Sequence, residues 1–165
     1  MALVRGRVLL ALLLLVVWFA LAYPLNLQEL GAAGIVTLLV LLLPLGAAEV
    51  LGEFRMAPKP VLYAIAYTFV FFGELIRANL DVAFRVLSPQ LPIRPGIVRV
   101  RTSLKSRLGR LILANSITLT PGTITVETRG EILYVHWINV EGDDIEVTTQ
   151  RIVEKFERYL EVICG

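Results

Sequence analysis

The chain has 165 residues, 56% of them apolar, with 16 Lys and Arg against 14 Asp and Glu, and its mean hydropathy is +0.73. That is too apolar for an ordinary water-soluble domain, so part of the chain belongs in a bilayer. A single cysteine, Cys164, and a single histidine, His136, exclude an intrachain disulfide and any metal site built on several Cys and His ligands, and with them zinc, haem-type and thiol-redox chemistry.

The apolar excess lies before Ala57, whereas most charges follow Ser88. From Val8 to Tyr23 the run VLLALLLLVVWFALAY carries no charge, and with Pro24 and Leu25 it approaches the roughly 18 to 20 residues of a spanning helix. Ala20-Leu21-Ala22 resembles a cleavage site, but the expectation is a retained span. A second uncharged run covers Leu30 to Ala48, with Gly31 and Gly34 spaced to seat a neighbouring helix and Pro44 inside it. The connection PLNLQE between the runs is short enough only for a tight hairpin. These segments give a transmembrane hairpin over residues 1–60.

Residues 61–88 read as a helix with two faces. Leu62, Ile65, Phe69, Phe72, Ile76, Leu80, Phe84 and Leu87 recur at helical spacing, and Glu74, Arg77, Asp81 and Arg85 recur on another stripe. Only Val61 to Gly73 is apolar all round, and about 13 residues do not cross a hydrocarbon layer roughly 30 Å thick. With two spans, the basic residues Arg5, Arg7, Arg55, Lys59 and those beyond Arg77 fall on the cytoplasmic side, while the 24–29 loop, which has none, lies outside. The preferred reading is therefore two spanning helices plus an amphipathic helix, with three spanning helices as the alternative. Glu74, Arg77 and Asp81 fit an ion-pair ladder; the competing reading is a proton or cation relay at membrane depth.

The segment 89–96, SPQLPIRPG with its flanking Ser88, has three prolines and a glycine and reads as a linker. Residues 97–165 then form an α+β domain. Val98, Val100, Thr102 and Leu104 alternate with Arg99, Arg101 and Ser103 as a strand; Leu104, Leu108, Leu111, Ile112 and Asn115 follow at helical spacing, with Ser103 or Ser106 as cap. Ile124, Val126 and Thr128 form one row of the next strand, Arg129-Gly130 reverses the chain, and Leu133, Val135 and Trp137 form the inward row of a third. Ile152, Phe156, Tyr159, Leu160 and Ile163 share one stripe of a final helix, with Thr148 or Thr149 as cap. The order β-α-β-β-α is that of a ferredoxin-like, split βαβ layer.

Between helix and strand stands ANSITLTPGT, residues 114–123. Pro121-Gly122 supplies what a type II turn needs. Ser116, Thr118, Thr120 and Thr123 are suited to closing the loop on its own backbone. The stretch lacks the glycines and lysine of a phosphate loop, and His136 sits on an outward row with Ile132 and Tyr134, away from any G-x-S-x-G serine.

The segments ANSITLTPGTITVE, YVHW, GELIRANLDVAFRVL and IRPGIV resemble the E subunit of the Mrp-type (Mnh-type) multisubunit Na⁺/H⁺ antiporter and its counterpart in membrane-bound hydrogenase complexes. The likeness runs in order along almost the whole chain. It implies a non-catalytic membrane subunit of a prokaryotic cell membrane, without cofactor, whose partners are other polytopic subunits and the lipid bilayer, not nucleic acid. Asn115, Thr118, Thr120, Pro121, Gly122 and Thr123 match the family motif, and Glu74, Asn79 and Asp81 match its third-helix pattern, with Gly73 where relatives often carry Lys. The alternative is a stand-alone membrane-anchored module that reads anionic lipid or another ligand through the basic run Arg94, Arg99, Arg101, Lys105, Arg107 and Arg110.

Overall fold

The computed structural model describes residues 2–22, 26–43, 46–142 and 144–165. They form two compact units, Met1–Phe54 and Arg55–Gly165. The helix beginning at Pro58 therefore goes with the domain that follows it.

In the first unit, α1 (Ala2–Leu21) is followed by α2 (Leu27–Leu42) and the short α3 (Ala47–Leu51). The Asn26 side chain accepts a hydrogen bond from Glu29 N at 2.9 Å and caps α2, whose first turn carries the acidic Glu29. α1 has 20 residues, α2 only 16, which at 1.5 Å per residue is about 24 Å. The second apolar run is thus a shorter helix than its sequence suggests, ending before Pro44. Pro44 itself and residues 23–25 of the hairpin connection lie outside the described residues. Gly31 and Gly34 have open space where a Cβ would stand; the close approach is made instead by Gly6, where a Cβ would overlap the Ala48 carbonyl and lie 2.8 Å from Gly52 N. Arg5 Nε donates to the Gly52 carbonyl at 3.1 Å beside this contact.

The second unit starts with α4 (Pro58–Leu87), whose prolines occupy the first turn, where their missing N–H costs nothing. Then come β1 (Gly96–Arg101), α5 (Arg107–Leu119), β2 (Thr123–Arg129), β3 (Ile132–Trp137), α6 (Ile145–Ile152) and α7 (Glu154–Ile163). The sheet has the order β1-β3-β2, with β3 antiparallel to both neighbours. Val98, Val100, Leu133 and Val135 point from it into a core completed by Leu104, Leu108, Leu113, Ile117, Phe156, Leu160 and Ile163. Of the two candidate caps for α5 it is Ser106 that accepts from Gly109 N, at 2.9 Å.

The face of β2 is settled, and two local expectations are corrected. In β2, Ile124 and Val126 are more than half exposed, because a bulge separates Thr125 from Glu127 and the Thr123 hydroxyl turns inward to the Ile117 and Thr120 carbonyls. In α5, Leu111 and Asn115 face outward, and Leu113, Ser116 and Ile117 form the buried face. The final helix is two: α6 is capped by Asp144, which accepts from Glu146 N at 2.7 Å, and the axis breaks at Val153. Thr148 and Thr149 are not caps. Lying inside α6, they satisfy the free edge of β1, Thr148 Oγ1 donating to Arg99 O at 2.8 Å and Thr149 Oγ1 accepting from Arg101 N at 2.9 Å.

Candidate functional site

The two residue groups singled out by the sequence, the polar stripe of α4 and the turn after α5, come together. They line a cleft of about 410 Å³ within the second unit. Glu74, Arg77, Asp81 and Arg85 form its α4 wall, Thr120-Pro121-Gly122-Thr123 one end, and Trp137, Asn139, Glu141, Arg151 and Lys155 the opposite wall.

The turn is built as its Pro-Gly pair predicts. Thr123 N donates to Thr120 O at 3.2 Å, and Gly122 takes φ +89°, the i+2 geometry of a type II turn. A Cβ on Gly122 would stand 2.9 Å from Ile138 Cγ2, so glycine is required here twice over, for its backbone and for its lack of a side chain. Ile138 N donates to Gly122 O at 2.8 Å and ties the turn to the end of β3.

The motif's hydroxyls are turned back on the chain. Thr120 Oγ1 donates to Ser116 O at 2.7 Å, Thr123 Oγ1 to Ile117 O at 2.6 Å, and Thr118 Oγ1 to Ala114 O at 2.9 Å while accepting from Thr125 N at 3.1 Å. These bonds seal the helix end and the start of β2. Asn115 is exposed on α5 and does not line the cleft.

Ser116 differs from the threonines because it reaches another element. Its hydroxyl donates to Ile112 O at 2.7 Å, which leaves a lone pair to accept from the Tyr67 hydroxyl of α4. Around this bond Tyr63 packs on Tyr159, and Tyr67 and Phe71 on Phe156, with ring centroids 6.1 to 6.4 Å apart. This inner stripe of α4, Tyr63-Tyr67-Phe71-Glu74, was hidden by the stronger apolar stripe beside it, though its spacing of three and four is legible in the sequence.

Every acid in the cleft has a basic partner. Glu74 Oε2 accepts from Lys155 Nζ at 2.6 Å across the cleft, and Glu74 Oε1 lies 3.8 Å from Arg77 Nη1. Asp81 is held by Arg85 at 2.7 Å, and Glu141 by Arg151. Asn79 stands on the other flank, its side chain donating to Leu75 O at 2.7 Å. The Glu74–Lys155 pair ties α4 to α7, the Glu141–Arg151 pair ties the segment after β3 to α6, and the Asp81–Arg85 pair lies within α4. Among the described residues no group of three His, Cys, Asp or Glu is placed to hold a metal.

The basic run does not make one face. Arg99 and Arg101 point outward from β1, while Arg110 spends its guanidinium on the Leu104 carbonyl at 2.7 Å and the Gly130 carbonyl at 3.1 Å, clamping the start of α5 to the β2–β3 turn.

A family model described as a Na⁺/H⁺ ion antiporter subunit (MNHE) matches residues 11–163. Among curated proteins, the E subunit of the Na⁺/H⁺ antiporter of Alkalihalophilus pseudofirmus is 40% identical over 54% of this chain and 56% of its own length. The corresponding E subunit of Bacillus subtilis is 39% identical over 60% of this chain and 63% of its own. The chain thus aligns with somewhat more than half the length of these relatives. A chain in the solved structure of the membrane-bound sulfane sulfur reductase, an archaeal respiratory membrane complex, matches with a TM-score of 0.79 and 38% identity, covering 96% of this chain and 98% of that one.

Proposed function

Since the chain belongs to the Na⁺/H⁺ ion antiporter subunit family, we propose that it is a non-catalytic membrane subunit of a multisubunit cation/proton antiporter or a related respiratory complex, supporting assembly and transport by its partners. The match over residues 11–163 carries this reading. The likeness to a chain of an archaeal respiratory membrane complex over nearly its full length supports the wider choice of host. The cleft supports the non-catalytic part, because its acids are ion-paired and its hydroxyls bond backbone.

In this reading the first unit sits in the cell membrane with the connection between α1 and α2, which carries no basic residue, outside, and the second lies on the cytoplasmic side. The position of β3 between β1 and β2 supports the ferredoxin-like, split βαβ class for the domain. Asn115, Thr118, Thr120, Pro121, Gly122 and Thr123 serve as a rigid assembly element, and of Glu74, Arg77, Asn79 and Asp81 it is Glu74, paired with Lys155, that holds α4 in position.

The test is isolation of the tagged chain from its own membranes in mild detergent. Several larger polytopic proteins are expected to co-migrate and be identified by mass spectrometry; a lone monodisperse species would remove the reading. Gly122→Ala, which strains the turn and crowds Ile138, is expected to lower the yield of complex several-fold, with the residual complex normally active.

A further inference from the structure

Helix α4 carries a surface that nothing in its own unit covers. Leu62, Ile65, Phe69, Ile76, Leu80 and Phe84 follow one another along the helix on one side and are 52–75% exposed. The line they draw is about 33 Å long at 1.5 Å per residue, more contiguous apolar surface than a protein leaves in water without a purpose.

By length and composition α4 could cross a membrane. Its other face forbids it. From Tyr63, stacked on Tyr159, through Phe71 on Phe156 and Glu74 on Lys155, to Val82, within 3.6 Å of where a Cβ on Gly122 would stand, α4 is bound to the α+β domain. That contact is about 28 Å long, nearly the full thickness of the hydrocarbon layer. Standing α4 across the bilayer would carry α7 in with it, and the exposed Glu154, Arg158 and Glu161 of α7 would meet lipid, at about 2.5 to 3.5 kcal/mol for each charge near the centre. Lying flat, the same helix needs a depth of only about 5–10 Å.

The flank fits that pose. Lys59 and Arg77 are about five helical turns apart and so share one side of the stripe, and the Arg77 side chain is 83% exposed. Long cationic side chains at this position reach up to phosphate groups while their stems lie along the acyl boundary.

We propose that α4 lies in the plane of the bilayer surface, with its Leu62–Phe84 stripe in the acyl boundary of one leaflet and the α+β domain held on its inner side. The proposal shares only the membrane location with the antiporter reading and stands or falls separately from it. To test it, the full chain carrying Cys164→Ala is given single cysteines by Phe69→Cys, Phe84→Cys, Arg77→Cys or, on the open face of the sheet, Val126→Cys. Each variant is spin-labelled in liposomes of phosphatidylcholine and phosphatidylglycerol. Collision with oxygen and with an aqueous nickel complex then reports depth. Labels at 69 and 84 are expected at one shallow depth, equal to within about 5 Å, with the label at 77 in the headgroups and that at 126 in water. Depths differing by about 22 Å, as 15 residues of a spanning helix would give, overturn the proposal. So do labels at 69 and 84 that meet nickel as freely as the one at 126, which would leave the stripe to a protein partner. Both phenylalanines are exposed, and Ile65→Cys with Leu80→Cys repeats the measurement should a label disturb the helix.

Discussion

In the first unit the buried residues are mostly small or polar, Gly6, Ala33, Thr37 and Ala48, while Leu12, Val16, Leu38 and Leu42 are exposed; in the second, Leu113, Ile117, Leu133, Val135, Phe156 and Leu160 are buried and charges lie outside. The difference reflects the solvent each unit meets. In water, removing apolar area is the main gain, at roughly 25 cal/mol per Å². In lipid that gain vanishes, and helices associate where small side chains let backbones approach. Helix α4 combines both rules, with an aromatic face buried in the manner of the second unit and an apolar face exposed in the manner of the first.

Substitutions of the two kinds of buried residue should therefore fail for opposite reasons. The largest effect is expected at Phe156, 1% exposed and packed on the rings of Tyr67 and Phe71. Phe156→Ala should cost about 3–5 kcal/mol and release α4 from the domain. Thermal unfolding of the full chain in detergent, together with protease cleavage after Arg77, would show both; unchanged cleavage would mean that α4 is held elsewhere. In the first unit the sensitive change is an enlargement. Gly6→Leu must displace the Ala48 carbonyl, and an overpacking cost of about 1–3 kcal/mol follows. Gly31→Leu, which meets open space, should leave the isolated chain unaffected, and equal loss in both variants would contradict the contact seen at Gly6.

These contrasts also separate what was legible in the sequence from what was not. The uncharged run of α1, the alternation of β1, the type II turn at Pro121-Gly122 and the stripe of α7 are local signals, each set by neighbours within a few residues. The inward face of β2 was not legible because alternation fixes a period without fixing a face, and the face here is chosen by the Thr123 hydroxyl closing on Ile117 O. Thr148 and Thr149 looked like caps; only the three-dimensional neighbour, the open edge of β1, gives them another task. Lys155 could not be paired with Glu74 from sequence, since 81 residues separate them and no local pattern says that α7 lies on α4. The candidate turn was legible as a bend and its threonines as closers. That the same turn borders a cleft with the polar stripe of α4 was not.

The smallest effect concerns the bond that joins the motif to α4. Tyr67 donates to Ser116, which donates onward to Ile112 O, so the two residues are not equivalent. Tyr67→Phe removes the donor and leaves Ser116 with its own proton satisfied, at a cost of about 0.5–1.5 kcal/mol. Ser116→Ala instead strands a half-buried phenol hydroxyl between α4 and α5, with a cost nearer 1–3 kcal/mol. Combining the two should cost little more than Tyr67→Phe alone, because the second change no longer orphans anything. Unfolding temperatures of the four variants in one detergent measure this coupling. Strict additivity would show that α4 is held by its aromatic stacking and the Glu74–Lys155 pair without help from this bond, and that Ser116 belongs, with Thr118, Thr120 and Thr123, to the residues that only close their own turn.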